Sequence, residues 1–393
     1  MSAVSDSAVF VLGRGIVSAL GTGVRDTRLA LVSDDAVLPA PPRRFQTSLG
    51  FPVFEASGFR EDAELPGGRC TAMLKSALDE ALAEAGLGRD GLRKLKVGVA
   101  IGTTVACQLN DIPFYEALRK GEGVSADPVK SYVDGNPAEW IRREYALNGP
   151  ALTVSNACAS GTDAIGIAML WLRAGIVDVA IAGGTDELNK VPYDGFSALG
   201  VCSPEPCRPF DAGRGGLNLG EAAGVVVLSR REPSAPVKLA ITGFGKSADA
   251  FHITRPAPDG IGIERAIRSA LADASAASEE IGYINAHGTG TDANDRVESV
   301  VFDRVFGGDV VFSSTKALTG HTLGAAGAIE CVLSLIALED SVIPASRRFY
   351  SLAPDMPVAP VAQTRSAAGL RKALSVSLAF GGSNSAIVME RIS

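Results

Sequence analysis

Short apolar runs alternate with longer segments of amphipathic spacing along the whole chain. Runs of about four to eight apolar residues are typical of buried strands, and apolar residues spaced three and four positions apart are typical of helices. Strands are predicted at residues 8–12, 97–101, 178–184, 224–229, 239–243, 281–285, 310–313, 373–378 and 385–389, and another begins at Ala151. Helices are predicted at residues 69–86, 262–274, 297–306 and 323–338, and after Cys158. Residues 13–23 are predicted as a glycine-rich turn into a short helix, and two helices are expected within residues 108–145.

Strands that alternate with helices predict βαβ units and sheets that are covered on both faces. A charged, proline-containing stretch at residues 230–236 is the candidate boundary between two units, at residues 1–233 and 234–393. Each unit contains a strand that ends in a turn of small residues with a reactive side chain. This indicates an internal duplication, although the two halves share little sequence.

Composition narrows the function classes. Hydrophobic residues make up 46% of the 393 residues and glycine contributes 44, as in a tightly packed α/β protein. A net charge of −7 argues against a general nucleic-acid binder but allows a local basic patch for an acidic carrier protein. The six cysteines form no zinc pattern, and neither a signal peptide nor a membrane-spanning apolar run is evident. We therefore expect a soluble cytoplasmic protein with free thiols and no membrane association.

Cys158 stands between a short strand and a helix, among small residues that leave room for a substrate. A helix N-terminus favours an anion, so this position predicts a lowered thiol pKa. A buried structural cysteine is the alternative, because free cysteines are often buried.

Two of the three histidines lie in turns rich in glycine and threonine, His287 directly after a predicted strand and His321 before a long apolar helix. A lone histidine in a loop is more often structural, but two such histidines and a similar cysteine indicate a site at the carboxyl ends of strands. The three residues could also hold a metal. No fourth ligand is indicated, however, and covalent catalysis suits the cysteine better.

Two further features belong to this predicted site. Lys316 lies between a strand and an apolar helix that contains Glu330, so a buried ion pair is plausible beside the simpler reading of a surface lysine. The segment 380–384 joins two strands, and its backbone N–H groups are candidates for an oxyanion hole.

Together these motifs resemble those of the condensing β-ketoacyl-acyl carrier protein synthases. They occur in the family's order as VSNACASG (154–161), NAHGTGT (285–291), STK (314–316), TGH (319–321) and FGGSN (380–384). The resemblance implies a thiolase-like fold, in which two similar βαβαβαββ halves form a five-layer αβαβα sandwich. It also implies a dimer, either a homodimer or a heterodimer with a ketosynthase-like subunit, and an acyl carrier protein as partner.

The resemblance assigns a role to each motif. Cys158 is the acylated nucleophile, and neutral His287 and His321 donate from Nε2 to the enolate formed when a malonyl thioester loses carbon dioxide. Lys316 and Glu330 orient the histidines, and the backbone N–H groups of Cys158 and Phe380 hold the tetrahedral oxyanion. Further substrate contacts are expected from Thr289 and Thr291 on the phosphopantetheine arm, from Val105 and Gln108 in the acyl pocket, and from Gly381 and Gly382. No metal or redox cofactor is implied.

The chain departs from the family pattern at two motifs and in residues 201–207, a segment that is shorter than in the common fatty-acid enzymes and lacks the basic residue expected there. Ala379 precedes Phe380 where the family usually has glycine, and Arg214-Gly215-Gly216 replaces Arg-Asp-Gly. These departures favour a specialised synthase of a type II polyketide or polyene pathway. The alternatives are a non-catalytic chain-length factor, an initiating synthase of the Cys/His/Asn type, and a thiolase. The retained cysteine argues against a chain-length factor, and the second histidine motif argues against an initiating synthase. A thiolase would need a second catalytic cysteine near the C-terminus, which this sequence lacks.

Overall fold

The computed structural model describes residues 8–33, 37–60, 65, 67–104, 112–127 and 136–392. The strands are β1 (Val9–Ser18), β2 (Gly21–Thr22), β3 (Val97–Gly102), β4 (Ala151–Val154), β5 (Val179–Asp186), β6 (Ala222–Ser229), β7 (Lys238–Ala248), β8 (Tyr283–Asn285), β9 (Phe312–Ser313), β10 (Val342–Ile343), β11 (Arg365–Ser366), β12 (Lys372–Ala379) and β13 (Ser383–Ile392). The helices are α1 (Val24–Val32), α2 (Gly68–Glu84), α3 (Arg89–Arg93), α4 (Ile112–Arg119), α5 (Pro137–Glu144), α6 (Ser160–Arg173), α7 (Lys190–Ala198), α8 (Ile261–Asp273), α9 (Asp292–Phe306), α10 (Lys316–Thr319) and α11 (Ala326–Asp340).

The two halves of the chain repeat one strand order. The sheet runs β4-β3-β5-β6-β1-β7-β13-β12-β8-β9, with the small strand β2 attached to β1. The major strands of each half can be numbered one to five in chain order. Counted outward from the junction of β1 and β7, both halves then have the order one, five, four, two, three. The pairings also repeat, antiparallel around the fifth strand and parallel among the fourth, second and third. The predicted duplication is therefore confirmed as a repeat of topology.

Helices and sheet halves stack in five layers. The helices α6 and α11 lie between the two halves of the sheet, in one apolar core with residues of both. On the outer faces, α2 packs on β1 and β6, and α8 packs on β7 and β13. This is the predicted αβαβα sandwich, so the expected fold class is confirmed.

Parallel strands explain where the reactive residues come together. β12 is parallel to β8, and β8 is parallel to β9, so the three carboxyl ends lie at one edge. Phe380, His287 and Lys316 follow these three strands. Cys158 follows β4, the corresponding third strand of the first half, and α6 and α11 follow the two third strands.

The predicted turn at residues 13–23 is wrong in its first part, because β1 continues to Ser18. The glycines mark a close helix contact instead of a turn. A Cβ on Gly13 would lie 2.1 Å from the carbonyl oxygen of Ala81, and one on Gly15 would lie 1.9 Å from that of Ala77. Both glycines thus let α2 lie directly on the strand.

Two other differences concern helices. The helix predicted from residue 323 begins as a 3-10 turn (Leu323–Ala325), and α11 proper starts at Ala326. Helix α7 was not predicted, because its polar and glycine residues weaken the amphipathic pattern. No helix in the described part of the chain is long and apolar enough to cross a membrane.

The contact between α2 and β1 gives a stability prediction. Gly15→Ala must push α2 off the strand, so we expect unfolding to become easier by about 1–3 kcal/mol, the usual cost of overpacking. Gly91→Ala is the matched control, because the nearest atom to its new Cβ is Leu87 Cδ2 at 3.8 Å and alanine favours the helix. Thermal denaturation of both variants checks this, and equal midpoints would contradict the account of Gly15.

Candidate active site

Cys158 lies in the turn between β4 and α6, as predicted, with only 4% of its surface exposed. The turn is tight, since Ala157 has a φ of 46°. Ser160 stabilises it by donating its hydroxyl to the Ala157 carbonyl at 2.6 Å and accepting the Asn156 N–H at 2.8 Å. The sulfur is thereby held at the N-terminal end of a helix.

The predicted lowering of the Cys158 pKa is wrong. Burial raises the pKa of the Cys158 thiol to about 11, because a buried thiolate loses its hydration. The Lys316 charge and the backbone N–H groups of Phe380 and Cys158 act in the opposite direction but do not outweigh burial. Cys158 at rest is therefore a thiol, and formation of its thiolate depends on local hydrogen bonds.

His321 provides one such hydrogen bond. Its Nε2 lies 3.1 Å from Cys158 Sγ, and its Nδ1 accepts the backbone N–H of Leu323 at 3.3 Å. Because Nδ1 is an acceptor, the neutral ring carries its proton on Nε2, an assignment that follows from the hydrogen-bond network. His321 therefore presents an N–H donor to the sulfur.

His287 has the same tautomer for a different reason. Its Nδ1 lies 3.3 Å from Lys316 Nζ, which can only donate, so the ring proton is on Nε2. The two imidazole rings meet edge to face at 5.2 Å, and one nitrogen of each ring and the Cys158 sulfur all lie within 4.8 Å of one another. Both imidazoles thus lie beside the Cys158 sulfur.

Both histidines are held neutral. Burial and the nearby Lys316 charge hold the pKa of His287 and the pKa of His321 well below the usual value. Lys316 itself is 1% exposed and forms an ion pair with the equally buried Glu330. Burial raises the pKa of Glu330 to about 7, although Lys316 favours its charged form.

A buried carboxylate that was not predicted fixes the His287 turn. Glu298 on α9 accepts the backbone N–H groups of His287 and Gly288, each at 2.7 Å, and burial raises its pKa to about 8. The sequence carries one signal that could have indicated Glu298, because this glutamate follows Val297 directly and lies among the buried residues of α9. Only the fold reveals that this face meets the turn after β8.

A cavity of about 310 Å³ opens onto the sulfur and both imidazoles. Thr289 and Thr291 also line it, with their hydroxyls 2.9 Å apart. Phe380 lines it too and stacks on Phe196 of α7, with ring centroids 5.3 Å apart. Phe196 was not among the predicted site residues, since its helix was not predicted.

Other predicted residues lie elsewhere. Gly381 and Gly382 are not among the described residues that line the cavity. Their N–H groups donate to the carbonyl oxygens of Ile253 and Ala379, at 2.8 and 3.0 Å, and so are unavailable to a substrate. Val105 and Gln108 lie outside the described residues.

The Cys/His/His cluster has the donor types of a metal site, but its hydrogen bonds do not fit metal binding. A histidine ligates a metal through an unprotonated nitrogen, whereas both rings here carry a proton on the nitrogen not used by Leu323 or Lys316. The Lys316 ammonium next to the cluster would also repel a divalent cation.

Comparison with known proteins identifies the family. The family model "Beta-ketoacyl synthase, N-terminal domain" matches residues 55–234, and "Beta-ketoacyl synthase, C-terminal domain" matches residues 239–350. The 3-oxoacyl-[acyl-carrier-protein] synthase 2 of Coxiella burnetii is 32% identical over 410 aligned positions, covering 98% of each chain.

Two solved structures extend the comparison. The ishigamide ketosynthase/chain length factor has a TM-score of 0.89 at 28% identity, covering 98% of this chain and 99% of the other. The AntDE:AntF complex, a type II polyketide acyl carrier protein with its ketosynthase bound to the hexaketide, has a TM-score of 0.86 at 26% identity, covering 98% and 99%. The chain therefore belongs to the β-ketoacyl-acyl carrier protein synthases, the condensing acyltransferases of fatty acid and type II polyketide synthesis.

Proposed function

We propose that Cys158, His287 and His321 carry out an elongating decarboxylative condensation between an acyl thioester and malonyl-acyl carrier protein. The observation that supports this most is that a nitrogen of each imidazole and the buried Cys158 sulfur lie within 4.8 Å of one another, with His321 Nε2 in hydrogen-bond contact with the sulfur. A non-catalytic chain-length factor does not need a nucleophile, and this chain has one in hydrogen-bond contact with a histidine.

The first half-reaction is acyl transfer. The Cys158 sulfur attacks the carbonyl carbon of the acyl-carrier thioester, and the pantetheine sulfur leaves. The thiol proton of Cys158 is balanced by the proton that the released pantetheine thiol takes up. Nε2–H of His321 stabilises the transient thiolate, and the backbone N–H groups of Cys158 and Phe380 stabilise the tetrahedral oxyanion.

The second half-reaction forms the carbon–carbon bond. Malonyl thioester releases carbon dioxide, and the electron pair of the broken bond passes into an enolate whose oxygen accepts from His287 and His321. The enolate carbon then attacks the acyl-Cys158 carbonyl, and the Cys158 thiolate leaves. Neutral donors suit this step, because an imidazolium would protonate the enolate instead of preserving it for attack.

Substrates are proposed to arrive on the phosphopantetheine arm of an acyl carrier protein, with Thr289 and Thr291 as hydrogen-bond partners of the arm. Their hydroxyls line the cavity on the way to the sulfur. No resident metal or redox cofactor enters these steps. We further propose a cytoplasmic location. We also propose that the chain divides into two units between residues 233 and 234, which the repeated strand order supports.

We also propose that β4 pairs with a second ketosynthase-like subunit. β4 is at the end of the sheet in the described chain, and Leu152 on it is 41% exposed. On the neighbouring α6, Leu170 is 51% exposed. An open strand edge with exposed leucines is a hazard for aggregation unless another chain covers it.

The first test separates acyl transfer from decarboxylation. Cys158→Ala should gain no acyl mass from acyl-carrier protein, whereas Cys158→Gln should still release carbon dioxide from malonyl-carrier protein. Adding His321→Ala to Cys158→Gln should lower that release about 100-fold, since one donor to the enolate is lost. Intact-mass spectrometry and a carbon dioxide assay give the two readouts. An acyl group on Cys158→Ala, or full decarboxylation without His321, would overturn the proposal.

The second test uses pH. Lys316→Met removes the charge that lowers the pKa of both histidines, so both pKa values rise. As the pH falls, the imidazoles of the variant are therefore protonated, and cease to be neutral donors, at a higher pH than those of the wild type. In the Cys158→Gln background, the acid limb of decarboxylation should move up by about 1 pH unit or more. Lys75→Met, at an exposed ion pair with Asp79, is the control and should leave the limb in place. An unmoved limb in Lys316→Met would contradict the role of Lys316.

The third test concerns the second subunit. Sedimentation velocity should show wild-type chain as a dimer, alone or with a ketosynthase-like partner, and Leu152→Asp should convert it to monomer. Leu29→Asp, 61% exposed on α1, should not change the sedimentation coefficient. A dimer that survives Leu152→Asp unchanged would exclude β4 as the interface.

A further inference from the structure

A further buried carboxylate, besides Glu298 and Glu330, contacts the turn that carries Cys158. Asp163, in the first turn of α6, is 1% exposed and does not line the cavity. Its oxygens accept from Asn156 Nδ2 at 2.6 Å, from the Ser385 hydroxyl and from the Lys246 ammonium. All three partners donate hydrogen bonds, and an ionised carboxylate can only accept them, so the three contacts suit Asp163.

Two of these partners, Asn156 and Ser385, flank the two segments of the proposed oxyanion hole. Asn156 stands two residues before Cys158, and its Nδ2 also donates to the Ser383 hydroxyl at 2.8 Å. Ser383 and Ser385 are near the start of β13, directly after the turn that carries Phe380. Lys246 on β7 faces Ser385 across the strand pair, so both reach Asp163 from one sheet face.

The turn needs such a support. Ala157 has a left-handed backbone, which residues with a Cβ disfavour, so the position of the Cys158 N–H depends on contacts around the turn. The Phe380 N–H is on a separate loop, and no covalent constraint fixes its distance from Cys158.

We propose that Asp163 is a positioning residue that sets the separation between the backbone N–H groups of Cys158 and Phe380. The inference rests on the proposed function, in which these two groups stabilise the oxyanion. Asp163 holds the Cys158 turn through Asn156, and it holds the Phe380 loop through Ser385 and, by way of Asn156, through Ser383. It contacts neither imidazole.

The proposal predicts a split between the two half-reactions. Asp163→Ala should slow acylation of Cys158 about 10- to 100-fold, since misplaced oxyanion donors lose much of their effect, with the KM for acyl-carrier protein unchanged. In the Cys158→Gln background, Asp163→Ala should leave malonyl decarboxylation within about twofold, because that step uses the imidazoles. Asp163→Asn should restore acylation to within about fivefold of wild type, since its oxygen can still accept from Asn156 and Lys246.

A control variant separates positioning from general destabilisation. At the other end of the same helix, Arg173 pairs with Asp273 at 2.8 Å, and Asp273 also accepts the Phe244 N–H. Asp273→Ala removes that anchor and should leave acylation unchanged. If Asp163→Ala does not fold, Asn156→Ala tests the same connection from a half-exposed position and should give the same split.

Three outcomes would overturn the inference. Acylation at the wild-type rate in Asp163→Ala, or in Asn156→Ala, would show that the network does not position the oxyanion hole. Equal losses of acylation and decarboxylation would indicate a general distortion of the site. Equal loss in Asp273→Ala would assign the effect to helix stability. Absence of acylation in the wild-type enzyme would instead refute the proposed function, so failure of that proposal can be told apart from failure of the inference about Asp163.

Discussion

The candidate active site depends on a lysine that is almost completely removed from water. Lys316 is buried with Glu330, and its ammonium faces Nδ1 of His287. A buried charge is costly unless it is paired, which explains why Glu330 lies on the central helix α11 and not at the surface. In return, one cation fixes the tautomer of His287, lowers the pKa of both histidines and favours the Cys158 thiolate.

The duplicated fold explains how this arrangement meets Cys158. Cys158 and Lys316 follow the third strands of the two halves, and the helices that come next cross closely in the central layer. A Cβ on Gly327 would lie 1.9 Å from Thr162 Oγ1, and one on Gly161 would lie 2.8 Å from the Ala328 nitrogen. The small residues at the crossing therefore bring the two turns together, so the site forms where neither half could build it alone.

Much of this was predictable from local sequence, and the failures share a physical cause. Short apolar runs identify strands such as β3 and β5 because those strands are buried on both faces. The positions of Cys158, His287 and His321 follow from strand ends. The thiol pKa was not predictable, because desolvation depends on everything packed around the turn. Glu298 and Asp163 were missed because only the fold shows which turns their buried side chains meet, and Phe196 was missed because helix α7 was not predicted. Gly13 and Gly15 resemble turn residues until α2 is placed on them.

Lys316 and the burial of the site keep two imidazoles neutral, with the proton on Nε2. Nitrogen-15 NMR of the histidine rings tests this directly, because the chain contains three histidines and a His252→Asn variant assigns the third signal. We expect His287 and His321 to show the Nε2–H tautomer unchanged from pH 8 to below pH 6. Titration of either ring to imidazolium near its usual pKa, or a proton on Nδ1, would contradict the account.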